Sequence, residues 1–427
     1  MTLVLFGSVL VLLAVGAPIA TAMAGSGLIT ILLSGLFNPE NAINPVQAVQ
    51  SFFSSIDSVA LLAIPFFILA GDLMNKGGLA KRLVNFAGMF VGRITGGLGM
   101  TAVLSCMLFA AISGSGIATA AAIGGVMLAG FKDHSYPKSY ATAIVASASP
   151  VGIIIPPSIA FILYGTLSKA SVGSLYKVGF PSGILIIIAL LVTTYLTAKK
   201  HKIPRPVRDL GNKSVKEVVI DTLVALGTPV IIVGGVFLGI FTPTESAIAA
   251  VIYSIIVGVF VFKEIKLKDL PSILMQSAIS SAGIMIIIAA ASLFAWVMIY
   301  LQIPQKAFEA VLSLGMNKYT LLFAVNITVL FAGMFLESSA IQVIIVPLLL
   351  PILEALHIDL VHFGIILTTN LAIGMVTPPF GLTLLTSSRV LGASLKDSIA
   401  EVWPFLLSLI VVLFIITYFP SVIMWVL

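Results

Sequence analysis

The sequence predicts an all-α polytopic membrane protein folded as an inverted repeat, with two re-entrant helical hairpins and two broken transmembrane helices. Three observations predict it. Apolar residues make up 59% of the 427-residue chain and charged residues only 9%, against about 25% charged in soluble domains. The helix-breaking landmarks occur twice. Ala17-Pro18 and Thr242-Pro243 are 225 residues apart, Ser113-Gly114-Ser115-Gly116 and Glu337-Ser338-Ser339-Ala340 are 224 apart, and Pro156-Pro157-Ser158 and Pro378-Pro379-Phe380 are 222 apart. Ser174-Leu175 and Pro181 find counterparts in Ser394-Leu395 and Pro404, at offsets of 220 and 223. Finally, each copy reads as five crossings, and an odd number makes the two copies face opposite ways.

Residues 1–218 form the first repeat. Crossings fall near 3–16, 18–36, 57–75, 137–167 and 174–198, apolar stretches sized for roughly 30 Å of hydrocarbon. Residues 3–36 lack the basic flank of a signal peptide and no soluble domain follows, so they read as two spans. Residues 76–97 set Lys76, Lys81, Arg82 and Arg93 between Leu79, Leu83, Val84, Phe86 and Phe90. That is the pattern of an amphipathic helix lying on the membrane surface, with a further crossing as the alternative. Residues 97–131 are Gly/Ala-rich and break at Ser113–Gly116, which makes a hairpin; 137–167 is broken by its prolines. The second repeat, 219–427, has crossings at 219–240, 245–262 and 276–301, a hairpin across 320–355, a broken helix at 358–388 and a last crossing at 400–424.

Lys and Arg collect on cytoplasmic loops. The loop at 199–216 carries Lys199, Lys200, Lys202, Arg205, Arg208, Lys213 and Lys216, and is placed inside. Alternation then puts 76–93, 132–138, 263–268 and 389–396 inside, which gathers 18 of the 22 basic residues there and leaves both termini on the outer face. Trp296 and Trp425 fall near outer span ends and Trp403 near an inner one, as interfacial anchors. The single cysteine, Cys106, excludes an intramolecular disulfide framework, and His134, His201, His357 and His362 lack zinc-ligand spacing. A net charge of +6 dispersed between spans suits membrane-surface loops and not nucleic acid. The chain has neither a phosphate-binding glycine loop nor a Ser-His-Asp grouping, so nothing points to an enzyme. Transport powered by an ion gradient is what remains.

Non-helical backbone inside a bilayer leaves polar groups unpaired unless protein, ions or water satisfy them. Repeated breaks therefore mark a binding site, and paired breaks in two halves mark a transporter's. At the first hairpin Ser113, Gly114, Ser115 and Gly116 permit a tight reversal, supply oxygens and cap the returning half-helix. Opposite it, Ser149, Pro150, Gly152 and Pro156 interrupt the span and free carbonyls. The second half offers Glu337 and Ser338 with Gly374, Val376, Thr377 and Pro378. Oxygen ligands and half-helix C-terminal ends favour Na⁺ as a coupling ion, and half-helix N-termini favour an anionic substrate group. Ser115, Gly116, Ser158, Ser339 and Thr377 are the proposed substrate contacts. Close packing of small residues is the competing reading of the same motifs. Of four carboxylates near the membrane zone, Glu337 reads as part of the site. Asp57 and Asp72 read as helix-end charges, and Glu245 is balanced between a helix start and a role in the site.

At these residues the chain resembles the large membrane subunit of tripartite ATP-independent periplasmic (TRAP) transporters over essentially its whole length. The resemblance rests on Leu62–Gly71, Ile112–Gly116 followed by Ala118-Thr119, Ile154–Ser158, Gly239–Glu245 and Met375–Gly381, all five in order. Ile117 stands where many members carry proline. The resemblance implies an elevator-type carrier in a bacterial inner membrane, its outer face periplasmic, that carries Na⁺ with a small organic acid. It also implies two partners, a separate small four-helix membrane subunit and a periplasmic substrate-binding protein. Substrates expected from the family are sialic acid, C4-dicarboxylates and other sugar or keto acids, and the general look suggests a sialic-acid system. A stand-alone Na⁺-coupled anion carrier is the alternative, and a membrane enzyme or assembly scaffold a third reading.

Overall fold

The computed structural model describes residues 1–37, 43–203 and 214–427, so Arg205, Arg208 and Lys213 of the basic loop lie outside the described residues. The described residues form helices joined by turns and irregular segments, and contain no strand. First come α1 (Thr2–Ala14), α2 (Ile19–Phe37), α3 (Pro45–Ser54) and α4 (Ala63–Lys76), the last preceded by a 3₁₀ turn at Val59–Leu62. Next are α5 (Leu79–Val91), then α6 (Gly97–Ser113) and α7 (Gly116–Asp133), which form a hairpin. A broken helix follows: α8 (Lys138–Ala148), a 3₁₀ turn at Ser149–Ile153, and α9 (Ile159–Ser168), before the long α10 (Val172–Lys200).

The same order then recurs. It runs α11 (Val215–Phe237), α12 (Pro243–Ile256), α13 (Leu270–Tyr300), α14 (Ile303–Ser313), the hairpin arms α15 (Lys318–Gly333) and α16 (Ser338–Ala355), and the broken pair α17 (Leu360–Gly374) and α18 (Leu382–Leu391). It ends with α19 (Leu395–Tyr418) and a short α20 (Ser421–Met424). α2 and α12 start 224 residues apart, as do α5 and α14, and the return arms α7 and α16 start 222 apart. Packing is reciprocal across the copies: α2 lies on α13 and α12 on α4, while α7 lies on α18 and α16 on α9.

Local chemistry explains where these helices begin. Thr242 accepts from Glu245 N at 3.3 Å and Glu245 Oε2 accepts from Thr242 N at 2.8 Å, a full capping box. Its side chain lies exposed in the first turn, the helix-start reading of this carboxylate. Ser214 and Glu217 make the same box for α11. Within the spans, hydroxyls bond back to the carbonyl four residues earlier, as Thr101 does to Gly97, Ser182 to Val178 and Ser254 to Ala250. Such bonding satisfies a polar side chain where no water is available.

Among the described residues eight helices are long and apolar enough to cross a membrane, one of them the hairpin arm α16, which carries Pro347 and Pro351 inside it. α1 is shorter than the expected crossing at 3–16: its 13 residues span roughly 20 Å at about 1.5 Å per residue. α5, also of 13 residues, is amphipathic, as the pattern over 76–97 predicts. It buries Leu79, Ala80, Leu83, Ala87 and Val91 along one stripe. The sequence reading missed α3 and α14, two amphipathic helices of 10 and 11 residues. At the centre lie the broken helices, buried at every residue from Tyr140 to Ala148 and from His362 to Gly374.

Candidate functional site

Both hairpin tips meet a helix break. Gly114, in the left-handed conformation at φ 59°, turns the first hairpin, and Ser115 caps α7 by accepting from Ala118 N at 3.4 Å. Ser113 and Thr119 hydroxyls lie 2.9 Å apart, and Thr119 also donates to Ser115 O at 2.8 Å. The tip is thus knotted by its own hydroxyls.

Glycine lets the break come up against it. A methyl at Gly152 would sit 2.9 Å from Ser115 C and O and 3.0 Å from Thr119 Oγ1. One at Gly116 would sit 3.1 Å from Pro150 Cα, 3.1 Å from Met375 Cε and 3.4 Å from Ser149 O, and one at Gly114 would sit 3.0 Å from Pro157 O. Ser113, Gly114, Ser115, Gly116, Ser149, Pro150 and Gly152 are therefore brought together. The carbonyls and hydroxyls gathered here are oxygen donors of the kind hard cations take. Pro156 begins a Pro156–Pro157 cis peptide, and Pro378–Pro379 is cis as well.

In the second half Glu337 caps α16, accepting from Ser339 N at 2.9 Å on one oxygen and from Ser339 Oγ at 3.2 Å on the other. Ser338 and Ser339 are buried beside it. The end of α15 meets the break backbone to backbone: a methyl at Gly333 would sit 3.0 Å from Gly374 Cα. Thr377 donates to Ile373 O at 2.7 Å, and Thr383 crosses the break to Met375 O at 2.9 Å and to Ala146 O of α8 at 3.0 Å. Val376 is fully buried at that turn, directly before Thr377 and Pro378. Ser158 is turned inward: it caps α9 and donates to Ile153 O at 2.6 Å.

A cavity of about 180 Å³ opens where the first tip faces the helices beside it. Ser113 and Ser115 form one wall; Asp72 and Asn75 of α4 and Ser280 of α13 form the other. Ser277 donates to Asp72 at 2.5 Å, joining the two helices across 205 residues of sequence. Asp72 thus belongs to the cavity as well as to a helix end. Asn75 and Ser280 gave no signal in the sequence, because their role depends on that pairing. Gln342 was legible in principle, as the lone amide in the apolar run after the tip; it is fully buried, with neither amide atom paired among the described residues. Between α8 and α17 the hydroxyls of Ser147 and Thr369, 222 residues apart and also unpaired among the described residues, line a cavity of about 10 Å³. That is about the least room that admits one water.

The arrangement has relatives. A family model described as the DctM component of tripartite ATP-independent periplasmic transporters matches residues 6–422. The chain is similar to a C4-dicarboxylate TRAP transporter large permease protein of Pseudomonas aeruginosa, 42% identical over 93% of this chain and 91% of that one. It is similar to an isethionate TRAP transporter permease protein of Oleidesulfovibrio alaskensis, 39% identical over 98% of this chain and 65% of that one. A sialic acid TRAP transporter large permease protein of Vibrio cholerae is 36% identical over 88% and 87%. Among solved structures, the Alcanivorax borkumensis YdaH transporter shares the fold at a TM-score of 0.62 and 16% identity, covering 91% of this chain and 88% of that one.

Proposed function

This chain belongs to the DctM component family of tripartite ATP-independent periplasmic transporters, and we propose that it carries a small organic acid inward together with Na⁺. The observation that supports this best is the cavity between the first hairpin tip and α4 and α13. Among the described residues its lining holds hydroxyls, an amide and one carboxylate, with no Lys, Arg or His. An anion entering beside Asp72 needs positive charge from elsewhere. The start of α7 supplies part of it through its free N–H groups, and a cation carried on the same tip supplies the rest. Symport follows from that balance.

The tip residues, the breaks and the cavity's near wall form the moving body of an elevator, and α2, α4, α12 and α13, paired reciprocally, form its scaffold. Two inverted copies of five crossings put both termini on one face, and the gathering of Lys and Arg on the other supports a periplasmic place for the termini and a cytoplasmic one for the basic loops of an inner-membrane protein. Two partners complete the system: a small membrane subunit, and a periplasmic binding protein that delivers the acid. The isethionate relative, of which this chain covers 65%, has room for an additional part of that kind.

Size narrows the substrate. A cavity of about 180 Å³ lies well below the ~300–1,000 Å³ of sites for drug-sized ligands. It suits an acid of a few carbons, such as a C4-dicarboxylate, better than sialic acid, in keeping with the 42% identity to the C4-dicarboxylate permease. The test is uptake of radiolabelled succinate and sialic acid into proteoliposomes holding this chain and its small subunit. It is run with and without the binding protein, under an inward Na⁺ gradient or with K⁺ instead. Uptake is expected only with Na⁺ and the binding protein together. Uptake without the binding protein would replace this reading with the stand-alone carrier, and uptake unchanged in K⁺ would remove Na⁺ coupling.

A further inference from the structure

A second cavity, of about 470 Å³, lies away from the tips, at the end of the central helices where α7 leaves and α8 begins. Among the described residues three cations line it, Lys132 at the end of α7, Lys138 at the start of α8 and Arg389 in the last turn of α18, and no carboxylate does. None of the three is ion-paired among the described residues. Lys138 Nζ reaches over the α18 C-cap, 3.9 Å from where a methyl at Gly392 would stand. Beside the cations, Leu128 and Phe131 supply an apolar flank. Tyr136 lines the cavity from a buried position, its hydroxyl accepting from Gly99 N at 3.3 Å.

The repeat supplies an internal control. At the corresponding offsets, Lys132 matches Glu354, Lys138 matches Leu360 and Arg389 matches Thr166. The fold needs no basic residue at these positions, since the other copy builds the same helix ends without one. Membrane sidedness accounts for cations at one end of the molecule. It does not account for three of them around a single half-apolar cavity.

We propose that this cavity binds the phosphate headgroup of an anionic phospholipid, with Lys132, Lys138 and Arg389 around the phosphate and an acyl chain along Leu128 and Phe131. Basic pockets between helices at the membrane edge recognise such headgroups, each Lys or Arg contributing about 1 kcal/mol near a charged surface, a fivefold effect on affinity. All three cations sit on the hairpin and the broken helices, so the bound lipid belongs to the same part of the molecule as the tips.

The full chain, stripped of lipid in a neutral detergent, is titrated with phosphatidylglycerol, with phosphatidylcholine and with inorganic phosphate, and bound lipid is counted by native mass spectrometry. One tightly held phosphatidylglycerol is expected, with phosphatidylcholine weaker. Lys132→Gln, Lys138→Gln and Arg389→Gln should each weaken it about fivefold and the triple variant about a hundredfold. Lys138→Arg should retain it, as should a triple variant at Lys199, Lys200 and Lys263. Phosphatidylglycerol bound equally by the Gln triple variant, or phosphatidylcholine bound as tightly by the wild type, would overturn the proposal. Displacement by millimolar inorganic phosphate would overturn the lipid assignment in favour of a soluble anion.

Discussion

Gly152→Ala tests whether the first hairpin tip and the first break share an ion site. The added methyl would lie 2.9 Å from the backbone of Ser115 and 3.0 Å from Thr119 Oγ1. Ordinary contacts begin near 3.4 Å, so tip and break must separate by about half an ångström, and a backbone cannot rotate away as a side chain can. Gly152 lies outside the left-handed region, so alanine adds no backbone strain. The effect is therefore overpacking, which costs about 1–3 kcal/mol. If separation of the tip absorbs that cost, apparent Na⁺ affinity falls about 5- to 150-fold. The assay is Na⁺-titrated uptake in proteoliposomes, with thermal unfolding in detergent measured in parallel. Gly125→Ala, in the returning arm, meets nothing within 4 Å and serves as the neutral control. A Gly152→Ala protein with wild-type half-saturation by Na⁺ and a wild-type maximal rate would refute the shared site.

Asp72→Asn keeps a hydrogen-bonding oxygen for Ser277 but removes the one carboxylate among the described residues of the cavity lining, the charge that the carried cation offsets, so the Na⁺ dependence of uptake should weaken while the melting temperature stays put; Ser277→Ala should leave the Na⁺ dependence nearer the wild type. Asn370→Ala breaks a buried chain in which Asn370 Nδ2 donates to Asn326 O at 2.8 Å and Asn326 Nδ2 donates to Thr417 at 3.0 Å. The loss should cost about 1–3 kcal/mol, read as a lower melting temperature with Na⁺ half-saturation retained. Glu245→Ala removes only the exposed carboxylate half of the α12 capping box and leaves the Thr242 cap in place. A slightly lower melting temperature with unchanged uptake kinetics is expected, and altered substrate or Na⁺ dependence would return this carboxylate to the site.

Much of the fold was legible because backbone breaks are encoded locally. Gly114 can reverse the chain where a bulkier residue resists, Pro156-Pro157 and Pro378-Pro379 stop a helix wherever they fall, and Thr242-Pro243-Thr244-Glu245 starts one. Repetition of these signals then gave the element order twice. α3 and α14 escaped because 10 or 11 residues of mixed character hardly stand out in a chain that is 59% apolar. The α14 signal was present all the same, at 224 residues from α5, in Ile303-Pro304 followed by Lys306, Phe308 and Glu309.

The sequence by itself determined the membrane class, the duplication and the tip and break residues, since each depends on composition or on neighbours a few positions apart. Only the tertiary structure decided what faces what. Asp72 reaches Ser277 across 205 residues, Gly152 takes the Ser115 backbone against it, and Lys132 and Arg389 share a cavity although 257 positions separate them. No local pattern carries such pairings, because they arise from how the reciprocal helices pack and not from the spacing of residues along one of them.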